Sequence, residues 1–201
     1  MDRPMTETGA PVNARIRVPA VPDIDEARLV AAARQERAAF VPLYRAYLTP
    51  IYRYLAQQVG NRQDAEDLTA ATFTKALASL EHYQGRGSFA AWLFSIARHT
   101  LLDYQRQRRP HLDVEQFAAT LVAANGQPEA ETMQAERRSR LDALVRRLPT
   151  DQRDALALRF AAGLRSAEAG KVMGRHEGAV RMLVHRAITT LRVELEKEEQ
   201  P

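Results

Sequence analysis

Apolar residues recur at steps of three and four along most of the chain, which is the pattern of amphipathic helices. No stretch alternates with the period of two that is typical of half-buried strands, so we predict an all-α fold. In the first half, four helices are expected, with these residues inward: Leu29, Val30 and Ala33; then Phe40, Leu43, Tyr44, Tyr47, Leu48, Ile51, Tyr52, Leu55 and Val59; then Ala65, Leu68, Ala71, Thr72, Phe73, Ala76 and Leu80; then Phe89, Trp92, Leu93, Ile96, Ala97 and Leu101.

The ends of these helices are indicated by capping residues and helix breakers. Asp23 or Asp25 can cap the first helix, because short polar side chains accept hydrogen bonds from free N–H groups. Pro50 should bend or interrupt the second helix, which we expect to end at Gly60-Asn61. The third helix is expected to start at Asp64 and the fourth at Ser88.

The helical pattern resumes at Thr132 and continues to Leu148. Thr150 or Asp151 is expected to cap the next helix, which Gly163 ends. The sequence then predicts two more helices: a short one capped by Ser166, running to Met173 and ending at Gly174, and a last one from Glu177 to about Glu196. The expected inward residues of the last helix are Val180, Val184, Ala187, Ile188 and Leu191, bordered by Leu183.

Helix breakers divide the chain into two helical units. Four prolines precede Asp23, and Arg109-Pro110 and the stretch 125–128 flank a segment of mixed polarity without its own core. We therefore expect two small helical domains joined by a flexible linker. The predicted bounds are a flexible arm at 1–22, a first domain at 23–109, a linker at 110–131, a second domain at 132–197 and a tail at 198–201.

Charge is distributed unevenly between the two units. The whole chain of 201 residues has a formal net charge of +4, but residues 137–192 hold thirteen basic and five acidic residues, a net charge of +8. A strongly basic unit is the electrostatic pattern of a protein that binds the phosphate backbone of nucleic acid. With no cysteine, no apolar run of about 20 residues and no apolar core of a secretion signal, we expect a cytoplasmic protein without membrane insertion.

The last two predicted helices have the spacing of a helix-turn-helix. The N-terminal half of the last helix would then enter the major groove, where Arg181 can donate to a guanine and Glu177 can accept from a cytosine amino group. The alternative is an ordinary antiparallel helix pair with a solvated charged face. The residues expected on the outer, DNA-facing side are Arg175, His176, Glu177, Arg181, Met182 and His185.

The helix that starts at Ser88 is aromatic on one side and basic toward its end. Basic residues next to aromatic ones suit melted or single-stranded nucleic acid, on which bases can stack. Trp92 lies on the same stripe as Phe89 and Ile96, so it is expected in the core rather than against a base. The loop 83–87 is the better candidate for an unstacked base, because we expect no apolar packing from it.

Candidate catalytic and metal sites are not indicated. The acids Asp64, Glu66 and Asp67 lie in a first helical turn, where they interact favourably with the helix dipole. No nucleophile or glycine-rich phosphate loop accompanies them, and the five histidines are not spaced as metal ligands. We therefore predict a protein that is not an enzyme and uses no cofactor or metal.

The order of these motifs resembles the extracytoplasmic-function (ECF) group of the bacterial sigma-70 family. Residues 64–69, with Thr72-Phe73 and Lys75-Ala76, are similar to the polymerase-binding segment of that family. Residues 89–99, followed by Asp103 and Arg106, are similar to its −10 region. Leu148-Pro149, Gln152-Arg153, residues 177–181 and residues 185–187 are similar to its region 4, so the resemblance covers about 38–192 apart from the linker.

This resemblance implies a sigma factor that binds core RNA polymerase through the first domain, captures melted −10 DNA there, and reads double-stranded −35 DNA with the second. An anti-sigma factor as a further partner is left open. The residues implied are Asp64, Glu66, Asp67, Thr72 and Lys75 for the polymerase; Gln84, Arg86, Ser88, Arg98, His99 and Arg106 for −10 DNA; and the six outer residues of the last helix and its turn for −35 DNA.

The chain departs from the family pattern at two places, and two rival functions stay open. Ala169 and Gly170 stand where a bulky aliphatic residue and an alanine are common, and glycine within a helix costs about 1 kcal/mol relative to alanine. Met182-Leu183 stands where polar or basic residues are frequent, which bears on the promoter sequence. The rivals are a DNA-binding regulator that does not dock on polymerase and a helical adaptor without any nucleic-acid role.

Overall fold

A computed structural model describes residues 25–85, 87–108 and 139–198. These residues form helices and no strand. The predicted arm 1–22 and linker 110–131 lie outside the described residues. The helices are α1 Glu26–Gln35, α2 Val41–Ala56, α3 Arg62–Ser79, α4 Phe89–Arg108, α5 at 139–147, α6 Thr150–Phe160, α7 Ser166–Met173 and α8 Glu177–Glu198, with short 3₁₀ turns at Arg37–Phe40 and Leu80–His82.

Helices α1 to α4 form the N-terminal half around an aromatic core. Tyr47 of α2 contacts Phe89 of α4, and Tyr54 of α2 contacts Phe94 of α4, each ring pair with centroids 5.5 Å apart in an edge-to-face arrangement. Edge-to-face pairs of this kind stabilise a core by about 0.5–1.5 kcal/mol beyond the area that they bury. These pairs fix α2 against α4 and so set the position of the helix that carries the candidate −10 residues.

Helices α5 to α8 form the C-terminal half, in which α7 and α8 are the predicted helix-turn-helix. The turn contains Gly174 in the left-handed conformation, with φ of 65°, which glycine adopts without strain. Val180 and Ala187 of α8 are fully buried, as the sequence predicted. A separate small apolar cluster joins α5 to the far end of α8 through Leu144, Val145, Leu148, Ala187 and Leu191.

The two halves pack against each other. One continuous hydrophobic cluster includes Leu93 and Phe94 of α4 together with Leu158 of α6 and Ala169 of α7. Helices α4 and α7 lie in direct contact. The sequence predicted the two helical regions but gave no reason to expect this packing, because nothing in a local pattern indicates which outer faces meet.

Several predicted helix starts are wrong by one to three residues. Asn61, not Asp64, caps α3 by accepting from the Asp64 N–H at 2.8 Å. The N-cap of α6 is Pro149, and that of α7 is Arg165, so Thr150 and Ser166 are first helical residues. Asp25 and Ser88 cap α1 and α4, as predicted.

The inward stripes are mostly confirmed, with four exceptions. Tyr54 and Phe94 are fully buried although the apolar pattern did not include them. Conversely, Tyr44 is 39% exposed and Ile188 is 38% exposed, although both were expected to be inward. Helical spacing locates a stripe, but which residues at its edges are covered depends on the neighbouring helices.

Candidate nucleic-acid interface

The outer face at the start of α8 is exposed. Arg175, His176, Glu177, Arg181, Met182 and His185 are all exposed. Behind them Val180 is buried, and Leu183 and Val184 are partly buried against the core. The arrangement presents one polar face on a helix held firmly from behind, which is what a helix inserted into the major groove requires.

Polar partners of this face come from the C-terminal half itself. Arg181 donates to the carboxylate of Glu177 one turn earlier at 2.7 Å, and Arg175 donates to Asp151 of α6 at 2.5 Å. An exposed ion pair one turn apart on a helix contributes only about 0.3–0.5 kcal/mol. DNA can therefore replace the carboxylate partner of Arg181 at little cost. His176 has a structural task, because its Nδ1 accepts from the Ala179 N–H at 3.1 Å at the start of α8.

Gly170 has a steric role at the turn of the helix-turn-helix. A Cβ atom on Gly170 would lie 2.6 Å from the backbone oxygen of Arg175, which is closer than real Cβ contacts come. The Arg175 N–H also donates to the Gly170 oxygen at 2.8 Å. The close approach of the turn to α7 thus explains why glycine, rather than alanine, stands at this position.

The candidate −10 residues divide into two groups. Gln84, His99 and Arg106 are exposed, and the partners of His99 and Arg106 lie on α4 itself. Arg86 lies outside the described residues. Ser88 and Arg98 are different, because both bond to the C-terminal half.

Asp154 of α6 is the centre of the contact that Arg98 makes. The Arg98 guanidinium donates to Oδ2 of Asp154 at 2.7 Å, and the Tyr54 hydroxyl donates to Oδ1 at 2.8 Å. Asp154 is only 5% exposed. Burial first, and then the charge and hydrogen bond of Asp154, hold the pKa of Tyr54 well above its usual value, so the hydroxyl keeps its proton and remains a donor.

Ser88 makes the second polar contact across the halves. Its hydroxyl donates to Oε1 of Glu168 on α7 at 2.6 Å and accepts from the Ala91 N–H at 3.2 Å. The other oxygen of Glu168 accepts from the Arg165 N–H at 2.8 Å, which fixes the carboxylate at the start of α7. The reasoning from sequence missed Tyr54, Asp154 and Glu168. One signal was present for Asp154, which lies four residues before the buried Leu158 on the same helix face.

An open cleft of about 480 Å³ lies where the loop before α4 meets α7. Gln84, Ser88 and Trp92 line it from the N-terminal half, and Glu168 and Lys171 line it from the C-terminal half. Trp92 is partly buried and packs on Tyr83 and Phe89, which supports its predicted core role. The expectation that the loop 83–87 needs no apolar packing is wrong, because Tyr83 is buried against these two rings.

The acidic start of α3 is accessible in part. Glu66 and Asp67 are exposed; Glu66 pairs with Arg62, whereas Asp64 is half-buried and bonds to Asn61 and Tyr104. Lys75 is exposed, with its Nζ 3.8 Å from Asp103 of α4. Thr72 is a correction to the predicted polymerase set: it is fully buried and donates to the Leu68 oxygen at 2.7 Å, so it has no surface to offer a partner.

Neither a candidate metal cluster nor a candidate membrane span lies within residues 25–85, 87–108 and 139–198. Within these ranges no three His, Cys, Asp or Glu side chains are grouped as a metal site would require. None of the helices described there is both long enough and apolar enough to cross a bilayer.

Comparison with known proteins relates both halves to one family. The family model for sigma-70 region 2 matches residues 43–111, and that for sigma-70 region 4 matches residues 138–191. The chain is 39% identical over 178 residues to the ECF RNA polymerase sigma factor BldN of Streptomyces coelicolor, covering 84% of this chain and 66% of BldN. It is 33% identical over 165 residues to the ECF RNA polymerase sigma factor EcfG of Rhodopseudomonas palustris, covering 81% of this chain and 84% of EcfG.

A solved structure has a similar fold. The sigma factor RpoE of Bartonella quintana, crystallised with the anti-sigma factor NepR, superimposes with a TM-score of 0.65 at 23% identity, covering 80% of this chain and 98% of that one. The two family matches lie in the order region 2 then region 4 and coincide with the two helical halves. The chain therefore belongs to the ECF group of the sigma-70 family of RNA polymerase sigma factors, whose function is promoter-specific transcription initiation.

Proposed function

We propose that this sigma factor divides its work among three surfaces. The exposed acids of α3, Glu66 and Asp67, dock on the polymerase core; the loop and α4 surface around Gln84, Ser88 and Arg98 captures melted −10 DNA; and the start of α8 reads the −35 element. The observation that carries the proposal is the face formed by the start of α8 and the turn before it, on which six residues are exposed over a buried stripe.

Electrostatics supports this division. An exposed carboxylate face suits a basic protein surface and repels phosphate, whereas Arg175 and Arg181 attract the DNA backbone and can donate to bases. The side chain of Asp67 forms no hydrogen bond or ion pair within the described part of the chain, so its charge is available to a partner. RNA polymerase and chromosomal DNA are the binding partners that this function requires, so we place the protein in the cytoplasm. It would act there as a regulator of transcription rather than as an enzyme.

An anti-sigma factor is the further partner class that we propose. The RpoE relative was crystallised with such a protein. Surfaces that dock on polymerase are natural targets for a competitor, and Val41 and Tyr44 of α2 add apolar exposure, at 46% and 39%, to the N-terminal half.

Start-site mapping with the purified chain and core polymerase on genomic DNA tests the proposal. We expect new transcript 5′ ends that share two sequence blocks near −10 and −35 and that are absent without the protein. A DNA-binding regulator that does not dock on polymerase would instead bind duplex DNA without creating start sites. A helical adaptor would show no DNA affinity that falls with salt.

A further inference from the structure

A second, smaller cavity lies where the turn after α2 meets α5 and α6. Its volume is about 180 Å³, and it is lined by Gln57, Gln58, Val59 and Gly60 from the N-terminal half and by Arg146 and Arg153 from the C-terminal half. None of the six belongs to the surfaces that we assign to polymerase or DNA. The lining holds two guanidinium groups, two carboxamides and no carboxylate, so its charge favours an anion.

Arg153 is a partly buried cation whose hydrogen-bond partners are neutral. Its Nε donates to the amide oxygen of Gln58 at 3.0 Å, and one terminal nitrogen donates to the backbone oxygen of Arg146 at 2.9 Å. Burial lowers the pKa of Arg153 below its usual value, against the raising influence of the neighbouring Asp154. Both oxygens of that carboxylate accept bonds from the N-terminal half, and Arg153 forms no ion pair within the described residues. A cation withdrawn from water in this way is stabilised when an anion pairs with it.

Arg146 brings a second guanidinium group to the same cavity. Its Nε donates to the backbone oxygen of Asp142 at 3.3 Å, and its side chain forms no other hydrogen bond or ion pair within residues 25–85, 87–108 and 139–198. The Asp142 carboxylate interacts with Arg146 through space but does not line the cavity. Two terminal nitrogens of Arg146 and one of Arg153 are therefore available to an oxyanion in the cavity.

Gln58 adds an unpaired donor beside these arginines. Because its amide oxygen accepts from Arg153, its amide nitrogen points away from that guanidinium. The nitrogen is buried and has no hydrogen-bond partner among the described residues. Unpaired buried donors are rare in folded proteins, and a bound ion or water is one of the reasons for which they occur. An acceptor bound beside Gln58 satisfies this nitrogen.

The size of the cavity selects a small ligand. Sites for drug-sized molecules and cofactors usually enclose about 300–1,000 Å³, whereas this cavity encloses about 180 Å³. It has room for one phosphate group together with a few waters, since a water occupies about 30 Å³ in the liquid. Guanidinium groups suit phosphate, because their fixed fork of N–H donors bonds to two oxygens at once.

We propose that this cavity binds a phosphate group, as free inorganic phosphate or as a small phosphate monoester, through Arg146, Arg153 and the amide nitrogen of Gln58. The arginines supply the charge, and Gln58 supplies a neutral donor. Both halves contribute to the lining, so a bound phosphate stabilises the contact between them in proportion to the logarithm of its concentration above the Kd. The site is independent of the surfaces assigned to polymerase and DNA, and it stands whether or not those assignments hold.

Isothermal titration calorimetry of the full chain with sodium phosphate, in chloride buffer of matched ionic strength, tests the site. We expect one saturable site in the wild type. Arg146→Gln should weaken binding by at least about tenfold, because it removes charge-assisted hydrogen bonds to the anion. Its Nε bonds only within α5, so the substitution removes no hydrogen bond between the halves.

The next residue of the same helix provides the matched control. Arg147 is exposed and does not line the cavity. Arg147→Gln makes the same change of charge and should alter the affinity for phosphate by less than about twofold, because solvent and salt screen a charge at this position.

Gln58→Glu is a second variant, designed to keep the fold and lose the ligand. A carboxylate of the same shape can accept from Arg153 as the amide oxygen does, and it brings the negative charge that phosphate would otherwise supply. We expect phosphate binding to be lost, with a melting temperature in phosphate-free buffer equal to or above that of the wild type. Gln63→Glu, the same substitution at an exposed glutamine of α3, should bind phosphate as the wild type does.

A parallel titration with ribose 5-phosphate distinguishes the two sources of the phosphate group. Tighter binding of ribose 5-phosphate supports a site for a monoester, and equal or tighter binding of inorganic phosphate supports a site for the free ion. The absence of saturable heat with both compounds would overturn the site. Equal affinities of the wild type, Arg146→Gln and Gln58→Glu would also overturn it, because phosphate would then bind elsewhere on the chain.

Discussion

Two arginines with the same expected task lie in opposite surroundings. Arg181 on α8 is exposed and pairs with Glu177 of its own helix, whereas Arg98 on α4 is largely buried and pairs with Asp154 of the other half. The first pair is one that solvent and DNA can replace at small cost, and the second is broken only by moving a domain. Accessibility, rather than residue type, therefore distinguishes the two candidate DNA surfaces in the structure.

DNA binding by the exposed face at the start of α8 should respond most strongly to Arg181→Ala. We expect discrimination between promoter and non-promoter duplex to fall by about 1–3 kcal/mol, because a bidentate contact to a base edge contributes that much. Competition binding with promoter duplexes recovered by start-site mapping measures the change. Arg186→Ala, an exposed basic residue on another face of α8, is the control and should weaken all duplexes alike. Equal losses for the two variants would mean that Arg181 contacts phosphate only.

The turn between α7 and α8 should be sensitive to Gly170→Ala. The added methyl meets the Arg175 oxygen at 2.6 Å, and we expect overpacking of about 1–3 kcal/mol to exceed the roughly 1 kcal/mol gained in helix propensity. Urea unfolding measures the loss.

The matched control for Gly170→Ala is Gly178→Ala. There the new methyl would lie 3.4 Å from Nδ1 of His176, which is an ordinary van der Waals contact. We expect little change or a small gain in the free energy of unfolding. A Gly170→Ala protein as stable as the wild type would contradict the steric role of Gly170.

The contact that Tyr54 and Arg98 make with Asp154 should be weakened by Tyr54→Phe. Removing the hydroxyl leaves one oxygen of Asp154 without its buried donor, for which we expect about 0.5–1.5 kcal/mol of destabilisation. Hydrogen exchange of the α4 and α6 amides measures it. Tyr83→Phe is a fair comparison, because its hydroxyl donates within the N-terminal half, to the Gly87 oxygen at 3.1 Å. An effect on α4 and α6 as large from Tyr83→Phe would contradict a special role for the contact between the halves.

The exposed acid of α3 should give the smallest effect per residue. Asp67→Lys is expected to weaken binding to core polymerase by about three- to fivefold, because an exposed charge contributes roughly a kcal/mol or less. Titration of labelled protein with core polymerase measures the affinity. Glu36→Lys makes the same charge change on another exposed site of the N-terminal half and should have a smaller effect. Full retained affinity for Asp67→Lys would count against docking through α3.

The sequence predicted the helices well because each is specified by its own periodicity and caps. Asp25, Ser88 and Gly174 were identified from local chemistry alone, and the buried Val180 and Ala187 from spacing. Errors arose where two signals compete within a few residues. Asn61 and Asp64 can each cap α3, and only the backbone conformation, extended at Asn61, decides between them.

The contact between the halves could not be predicted in the same way. Tyr54 and Asp154 are 100 residues apart, and Arg98 and Asp154 are 56 apart, so no periodicity relates them. The sequence also indicated Arg98 as a candidate for binding −10 DNA, but its partner in the structure depends on how two separately specified helical units meet. The exposure of Ile188 and the burial of Tyr83 have the same origin, since both depend on neighbours distant in sequence.

Paired titrations of the free protein with two DNA probes test most directly whether the start of α8 is accessible to DNA while the surface around Arg98 is covered. The probes are the single strand of a mapped −10 element and the duplex of its −35 element, each titrated with wild type and with Asp154→Asn. We predict that Asp154→Asn binds the single strand at least about tenfold more tightly and the duplex within about twofold of the wild type. Equal affinities of the two proteins for the single strand, or equal gains on both probes, would contradict a −10 surface closed by the C-terminal half.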